Sequence, residues 1–589
     1  MKPQSTQSLS QRNSKISRRR LCALCGFYFF VHFVVNTTSA YAQNLDKIGK
    51  KDMITVNGGL NFNSIFLNTN SPNSTRDPLS WYLNGNVSVS FLDWSFPFTY
   101  SYSNQHSSYS QPFNQTGISP TYKWIKTYAG MCNMSFSQYT FSGIPFLGAG
   151  VELTPKNWKI AFMYGRLKKA IEYDALNESD LNMSFKRMGM GAKVGYEKSG
   201  YGLSLIWFQA KDVQNSLSFI PPVTAIQPQE NTVVSANAKA PVTKHFNIET
   251  EYALSGFTRN SFAEQLSTNV SGNKLPLIFH PRTNSQFFSA FKSSVNFNSK
   301  FFSCGANYER IDPNYQTLGI YYMNNDLQNI TLSPQIRLFK SRLSISLNAG
   351  IQHNNLNSEK LSTINRAVGS GNLTFQPNAH WNATATYSNF TSYSKNRPAT
   401  DPFYQPSPID TMKFYQISQN ANVTVNHNFG NTKIKHNLTF MLAYQVSQQE
   451  TGSIQSSPIT LLNGNVAYGI IHVKTKTLIS VSANANNTEA LNNNTKYFGP
   501  GLNIGKAFLS NTLNVTFGSI YNLSYNNSKS NGSVINERLN LGYNPKVKNK
   551  KYGKPNLSVS ANYMTKLNAP ANTASIHEFM GTVNLGYTF

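Results

Sequence analysis

The sequence is poor in charge, in cysteine and in long apolar runs. Charged residues make up 13% of its 589 residues, whereas about 25% is usual in soluble domains. Two of the four cysteines, Cys22 and Cys25, lie in a predicted leader; the other two, Cys132 and Cys304, are too few for a disulfide framework. Both alternate in phase with apolar neighbours, so we expect them to act as small hydrophobic residues. Beyond the leader, no run reaches the roughly 18 apolar residues that would predict a transmembrane helix.

The sequence also lacks the motifs of common enzymes. Its histidines are scattered, without the H-x-x-H or H-E-x-x-H spacing that binds a metal. It has no G-x-S-x-G elbow and no glycine-rich phosphate loop. We therefore expect no catalytic activity, no metal site and no cofactor. The basic residues do not form a recognisable nucleic-acid-binding motif, so we expect no nucleic-acid partner.

The N-terminal segment has the pattern of a cleaved secretory signal. A basic stretch precedes an apolar run from Leu21 to Val35, and Ala40-Tyr41-Ala42 then places small residues before Gln43. The apolar run of about 15 residues is shorter than the roughly 20 that a membrane-spanning helix needs. We predict a signal peptide at 1–42, a short periplasmic segment at 43–52 and a single domain at 53–589.

The feature that is abundant is a two-residue alternation of apolar and polar side chains. It runs through 246–254, 343–351 and 513–525, and each stretch has about the length of a tilted strand that crosses a membrane. Such alternation is typical of a barrel wall with one face in lipid and the other towards a polar lumen. The first stretch places Glu249 and Glu251 on the lumen side, where we expect them to form structural pairs with inward lysine or arginine; the alternative is a transport site.

Turn and loop signals indicate how many strands there are. Twelve tight turns alternate with thirteen longer loops, which predicts about 26 strands, within a range of 22–28. We therefore predict an all-β fold, a large antiparallel transmembrane β-barrel with short periplasmic turns and longer external loops. The alternatives are a pair of β-sandwiches or a β-solenoid. The sequence shows neither the linker that sandwiches need nor the fixed period of a solenoid.

The C-terminal stretch alternates in the same way. Val583, Leu585, Tyr587 and Phe589 lie on one side of the two-residue period. The stretch resembles the C-terminal signal strand of Gram-negative outer-membrane barrels. The resemblance implies that the barrel-assembly machinery grips the terminal Phe and that the protein lies in the cell outer membrane, in contact with its lipids. The alternative is an ordinary buried edge strand at a chain end.

Four further segments resemble outer-membrane proteins of the Bacteroidota: 117–124, 146–155, 164–171 and 308–315. This resemblance implies no particular activity. In the last segment, Glu309, Arg310 and Asp312 lie where a strand meets an external loop. They either cap the strand and hold the loop, or bind a partner or ligand.

The net charge is +27, and many basic residues fall at the predicted periplasmic turns. The longest of these turns contains Lys546, Lys548, Lys550, Lys551 and Lys554. A basic rim of this kind contacts phospholipid headgroups, or docks an acidic periplasmic partner, or attracts anionic clients.

A barrel of about 26 strands encloses a lumen wider than that of a porin. The sequence has no segment long enough for a separate plug domain, so infolded loops, a partner plug protein or a passing client must fill the lumen. The loop at 258–285 is the first internal candidate. We expect a conduit or assembly component for a bulky client, a protein or a glycan. The alternatives are a diffusion channel or solute transporter narrowed by its own loops, and a surface or adhesion protein anchored by its barrel.

Overall fold

The computed structural model describes residues 54–70, 77–104, 115–173, 183–220, 226–268, 271–359, 365–389, 415–451, 454–455, 457–491, 493–547, 553–567 and 575–589. The predicted signal peptide and its cleavage site at Ala40, Ala42 and Gln43 lie outside these ranges. Besides strands, the described residues form two short 3-10 turns, Gln214–Ser216 and Leu509–Asn511. No helix within them is long and apolar enough to cross a membrane.

In chain order the strands are β1 (Ile54–Thr69), β2 (Leu79–Phe91), β3 (Trp94–Ser103), β4 (Gln115–Ile118), β5 (Thr121–Tyr122), β6 (Ile125–Cys132), β7 (Phe146–Leu153), β8 (Trp158–Lys168), β9 (Arg187–Lys198), β10 (Tyr201–Asp212), β11 (Glu230–Pro241), β12 (Phe246–Thr258), β13 (Ser285–Asn298), β14 (Phe302–Ile311), β15 (Leu327–Leu338), β16 (Leu343–Asn354), β17 (Asn365–Phe375), β18 (Trp381–Ser388), β19 (Tyr415–Gly430), β20 (Ile434–Thr451), β21 (Ile454–Gln455), β22 (Ile459–His472), β23 (Thr477–Ala490), β24 (Asn493–Phe508), β25 (Leu513–Asn526), β26 (Lys529–Tyr543), β27 (Lys554–Leu567) and β28 (Ile576–Thr588).

The strands form one antiparallel sheet that closes on itself. β28 pairs with β1 from Gly59↔Thr588 to Thr69↔Glu578. β4 and β5 are two parts of one strand, since both pair with β3 and with β6. β21 is a two-residue segment that pairs only with the end of β20, so it is not a separate strand of the wall. Subtracting one for the divided strand and one for β21 from 28 leaves a closed barrel of 26 strands. This confirms the predicted fold class and count, and closure leaves no unpaired edge in lipid.

The chain divides into two compact units. The described part of the smaller unit consists of Ile54–Thr55 and Ser90–Asp93, which supply the start of β1, the end of β2 and the turn after it. The larger unit, Val56–Val89 and Trp94–Phe589, contains the remaining strands and the closing seam.

The outer face of the wall is apolar. On β20, Leu438, Phe440, Leu442 and Tyr444 are all exposed on one side of the strand. A surface of this kind is far too apolar for water, and it fits the hydrocarbon of a membrane. In the alternation predicted for 513–525 the apolar side is likewise the outer face, since Phe517 and the other odd-numbered apolar residues of this stretch face outward.

Tryptophans mark the short-turn end of the barrel. Trp94, Trp158 and Trp381 are the first residues of β3, β8 and β18, Trp124 lies in the turn before β6, and all four are exposed. Tryptophan concentrates at the interface between membrane and water because its ring is amphipathic. The four side chains therefore mark one boundary of the membrane-spanning band.

Several predicted connections are corrected. The loops predicted at 487–495 and 526–533 are tight turns between β23 and β24 and between β25 and β26. In the second turn, Asn527 and Ser528 both have positive φ, the conformation that type I′ hairpins require. The polar runs around these turns suggested loops, but they belong to the ends of the paired strands. Two predicted turns shift by a few residues, from Lys126-Thr127 to 123–124 and from Ile471-His472 to 473–476.

Candidate functional site: two sectors of the lumen

Part of the inner face of β6 to β15 is an apolar core, where a barrel lumen is expected to be polar. On β8 the inward residues Ala161 and Met163 are buried, whereas their outward neighbours Phe162 and Tyr164 are exposed. Cys132 belongs to the same inner core, so it faces the lumen side. Cys304 lies on the outer face instead and is half-buried, and both cysteines are free. We call this apolar part of the lumen, with the loops that fill it, the filled sector.

The loop at 133–145 folds into the filled sector. Phe141 is fully buried, stacks on Phe208 with ring centroids 5.3 Å apart, and touches Phe136 and Phe146 edge-on. Burying a phenylalanine contributes about 1.5–3 kcal/mol relative to leaving it in water. The loop is therefore packed as a core element of the fold.

The loop at 312–326 enters beside it. Phe141 forms a parallel bridge with Gly319 of this second loop, and Ser142 N donates to Gly319 O at 3.0 Å. Tyr315 Oη donates to Tyr139 O and Thr317 Oγ1 to Thr140 O, each at 2.7 Å. These buried bonds satisfy three backbone carbonyls and the hydroxyls of Tyr315 and Thr317, which burial would otherwise penalise.

The wall binds the loops through an asparagine. Asn231 Nδ2 donates to Ser255 Oγ at 2.8 Å and to Gly256 O at 3.0 Å, while its Oδ1 accepts from Leu318 N at 3.1 Å. Ser255 Oγ donates in turn to Gln316 O at 2.7 Å. The fully buried amide thus joins two strands to the second loop.

Charged side chains hold the tip of the first loop. Ser137 Oγ donates to Glu251, and Lys193 Nζ donates to Phe136 O at 3.0 Å. Tyr139 Oη donates to Glu309 Oε1 at 2.5 Å. Because burial, and then the neighbouring Glu309 carboxylate, disfavour the phenolate, the pKa of Tyr139 is raised well above its ordinary value. The carboxylates of the wall therefore bind the loop through hydroxyl donors.

The structure places the predicted lumen charges in different surroundings. Glu251 lies opposite Lys292 in the strand register and contacts the loop. Glu249 is exposed, and among the described residues its carboxylate accepts only from Asn237, at 3.4 Å. Asp312 accepts from the N–H and Oγ of Ser289 at 2.8 and 2.6 Å. Asp312 therefore fixes the base of the second loop, which is the loop-holding role among the two alternatives for this segment.

The loop expected to enter the lumen does not do so in its described part. In 258–285, Phe279 is buried against Gly256 and Phe287, at 5.4 Å from the latter ring. Both partners lie on the outward side of their strands, in phase with exposed Tyr252. The prediction for this loop was wrong. The loop at 133–145 fills the lumen instead, and its sequence signal was a set of spaced apolar residues, Met134, Phe136, Tyr139 and Phe141.

The inner face of β19 to β28, with β1 and β2, differs in chemistry. Asparagine, serine and threonine dominate its inward positions and hydrogen-bond across strands. Thr439 Oγ1 donates to Asn426 Oδ1 at 2.8 Å, and Asn540 Nδ2 donates to Thr516 Oγ1 at 3.1 Å. Asn437 Nδ2 likewise donates to Asn428 Oδ1 at 2.8 Å. We call this surface the amide-lined sector.

A hollow of about 750 Å³ lies in the amide-lined sector at the closing seam. Among the described residues, its lining includes Asn61, Asn84, Asn86, Asn556 and Asn584 and no charged side chain. Asn61 and Asn556 flank Gly586 in the strand register. A Cβ on Gly586 would lie 2.2 Å from Asn556 Oδ1, so the glycine makes room for the amide. We call this hollow the seam pocket.

The predicted C-terminal signal residues lie on the outer face. Val583, Leu585, Tyr587 and Phe589 are exposed on the lipid side of the last strand, and Phe589 N donates to Gly58 O at 2.9 Å. Their recognition by the assembly machinery stays a prediction.

In the predicted basic turn, Lys546 and Lys554 are exposed, while Lys548, Lys550 and Lys551 lie outside the described residues. The part of the chain that the structure describes contains no group of three or more His, Cys, Asp or Glu able to hold a metal ion.

No protein-family model and no curated protein matches the chain. Among solved structures, OccAB3 of Acinetobacter baumannii matches with a TM-score of 0.30 and 9% identity, over 68% of this chain and 99% of that one. The P pilus usher PapC translocation pore matches at 0.36 and 9%, over 91% and 100%. The FrpB iron transporter of Neisseria meningitidis matches at 0.34 and 10%, over 90% and 81%. These are Gram-negative outer-membrane barrels; at such scores the likeness carries no functional argument.

Proposed function

We propose that the protein is an outer-membrane conduit for a bulky polar client, in which its own loops fill one sector of the lumen and the client passes along the other. The observation that carries this proposal is the division of the inner wall. The loops at 133–145 and 312–326 are built into an apolar sector, while the opposite strands present mostly amides and hydroxyls, with few charged groups such as Arg538 beside Asn540.

The packing of the loops supports a fixed filling. Phe141 and Tyr315 are almost completely buried, and the hydrogen bonds between the two loops lie in a core from which water is excluded. Removing them would expose apolar wall and leave buried polar groups without partners. A client that leaves these loops in place would contact only the amide-lined sector.

The proposal includes partners on three surfaces. Outer-membrane lipids cover the apolar outer face, and the barrel-assembly machinery inserts the chain by its last strand. A plug protein or another periplasmic protein binds at the short-turn end, where exposed Lys546 and Lys554 favour an acidic surface. The predicted signal peptide directs export, and the relation to Bacteroidota barrels is part of the same proposal.

The test is gentle isolation from outer membranes, identification of co-purifying proteins, and single-channel recording on the same sample. A stoichiometric partner with a nearly silent pore supports the conduit within a larger machine. A lone barrel without partner or conductance contradicts a transport role altogether.

A diffusion channel is the second candidate, because loop 133–145 narrows the lumen by itself. A lone barrel with steady conductance, unaffected by periplasmic extract, would favour this second candidate over the conduit.

A further inference from the structure

We infer that the seam pocket binds a neutral, hydroxyl-rich ligand, and that the client of the conduit is a neutral glycan. This inference rests on the proposed function and names its substrate class. The pocket exists because inward positions at the closing seam are glycine. Gly59, Gly542 and Gly586 leave a hollow of about 750 Å³, within the range of small-ligand sites.

The amides around the hollow are available for a ligand. Among the described residues, the side chains of Asn61, Asn86, Asn556 and Asn584 make no hydrogen bond to other protein groups, while Asn84 Nδ2 donates to Tyr82 Oη at 3.1 Å. An asparagine amide offers two donors and an acceptor. Several of them around one hollow match a ligand whose hydroxyls both donate and accept.

The absence of charged side chains from the described lining favours a neutral ligand. A charged group would leave water without gaining a counter-ion, which costs more than burying a hydroxyl. Of the basic residues that the structure describes in the neighbouring turn, Lys546 and Lys554 lie outside the lining. An extended polypeptide is disfavoured, because peptides usually bind barrels and sheets by pairing with an open strand edge, and closure of β28 on β1 leaves none at the seam.

The test measures binding to the purified full chain in detergent by saturation-transfer NMR. The probes are neutral hexasaccharides of glucan, mannan and galactan type, with a hexagalacturonate as the anionic comparison. We expect at least one neutral probe to bind, and the double variant Asn556→Ala/Asn584→Ala to bind it about tenfold more weakly, the loss expected from one or two neutral hydrogen bonds. The matched control is Asn296→Ala, an inward amide of β13 that lies outside both the pocket and the amide-lined sector.

Three results would overturn the inference: no binding of any neutral probe, tighter binding of hexagalacturonate, or equal loss in the control and the double variant. Heat-modifiable migration verifies that each variant is folded. The conduit proposal is judged separately from the co-purification and conductance data. If the barrel conducts or has a partner but does not bind neutral glycans, only the proposed ligand class is refuted. If it binds a glycan but shows neither conductance nor a partner, only the conduit is refuted.

Discussion

A single contact between wall and loop illustrates how individual residues hold the filled sector. Tyr139 is almost completely buried and donates to Glu309 at 2.5 Å. Hydrogen bonds to charged groups contribute about 1.5–3 kcal/mol. We expect Tyr139→Phe to lower the free energy of unfolding in urea by that amount, because the Glu309 carboxylate loses its hydroxyl donor. Tyr164→Phe, at an exposed position on the lipid face, is the matched control and should change little.

The same tyrosine gives a pH signature. Its pKa is raised in the folded protein by burial and by Glu309, so the folded state retains a proton that the unfolded chain loses near pH 10. The contribution of Tyr139 is therefore fully present below its unfolded pKa of about 10 and declines as pH rises above it. Identical stability losses between pH 9 and 11 in the wild type and in Tyr139→Phe would contradict this assignment.

The terminal aromatic residue is the other informative single position. The backbone bond from Phe589 to Gly58 survives substitution, whereas the exposed ring on the lipid side does not. We expect Phe589→Ala to reduce the amount of folded barrel in outer membranes severalfold, with the stability of the barrel that does assemble unchanged. Quantitative blotting with heat-modifiable migration measures both. Thr588→Ala is the control. Normal levels of the Phe589→Ala protein would contradict the signal-strand hypothesis.

At the scale of elements, the loop at 133–145 is the one whose loss should change function. Phe141 is in contact with three aromatic rings, two of them, Phe146 and Phe208, from the wall. Truncating a buried phenylalanine usually costs about 3–5 kcal/mol. We expect Phe141→Ala to loosen the loop, lower stability by that amount and increase single-channel conductance or current noise.

The matched control for this loop is Phe162→Ala, on the lipid face of β8 and exposed. It should leave the conductance unchanged, since it alters the wall only from outside. An unchanged current in Phe141→Ala, combined with the expected loss of stability, would mean that the loop is structural and does not border the conducting path.

Strands and loops differ in how far the sequence alone predicts them. Strands were predictable because a two-residue period is local and survives in a single sequence, as the alternation in 513–525 shows. The infolding of 133–145 was not predictable, because Phe141 is buried against Phe208, and the two residues come together only when the barrel closes. The same holds for the seam pocket, where Asn61 and Asn584 meet only because β1 and β28 pair across the whole chain.

For the whole molecule, the difference between the two ends of the barrel indicates its orientation in the membrane. Four exposed tryptophans lie at the short-turn end, and the long loops, including those that fill the lumen, leave from the other. In bacterial barrels the short turns face the periplasm. This orientation places the seam pocket, formed by the start of β1 and the end of β28, near the periplasmic mouth.

The orientation is testable with two matched cysteine variants. Lys244 lies in a short turn and Lys274 in a long loop, and both are exposed. We expect a membrane-impermeant maleimide to label Lys274→Cys in intact cells and Lys244→Cys only after the outer membrane is permeabilised. The wild type gives the background, since Cys132 is buried and Cys304 half-buried on the lipid face. The reverse labelling pattern would place the long loops in the periplasm, and the amide-lined seam pocket would then open to the cell surface, where it would meet its ligand first.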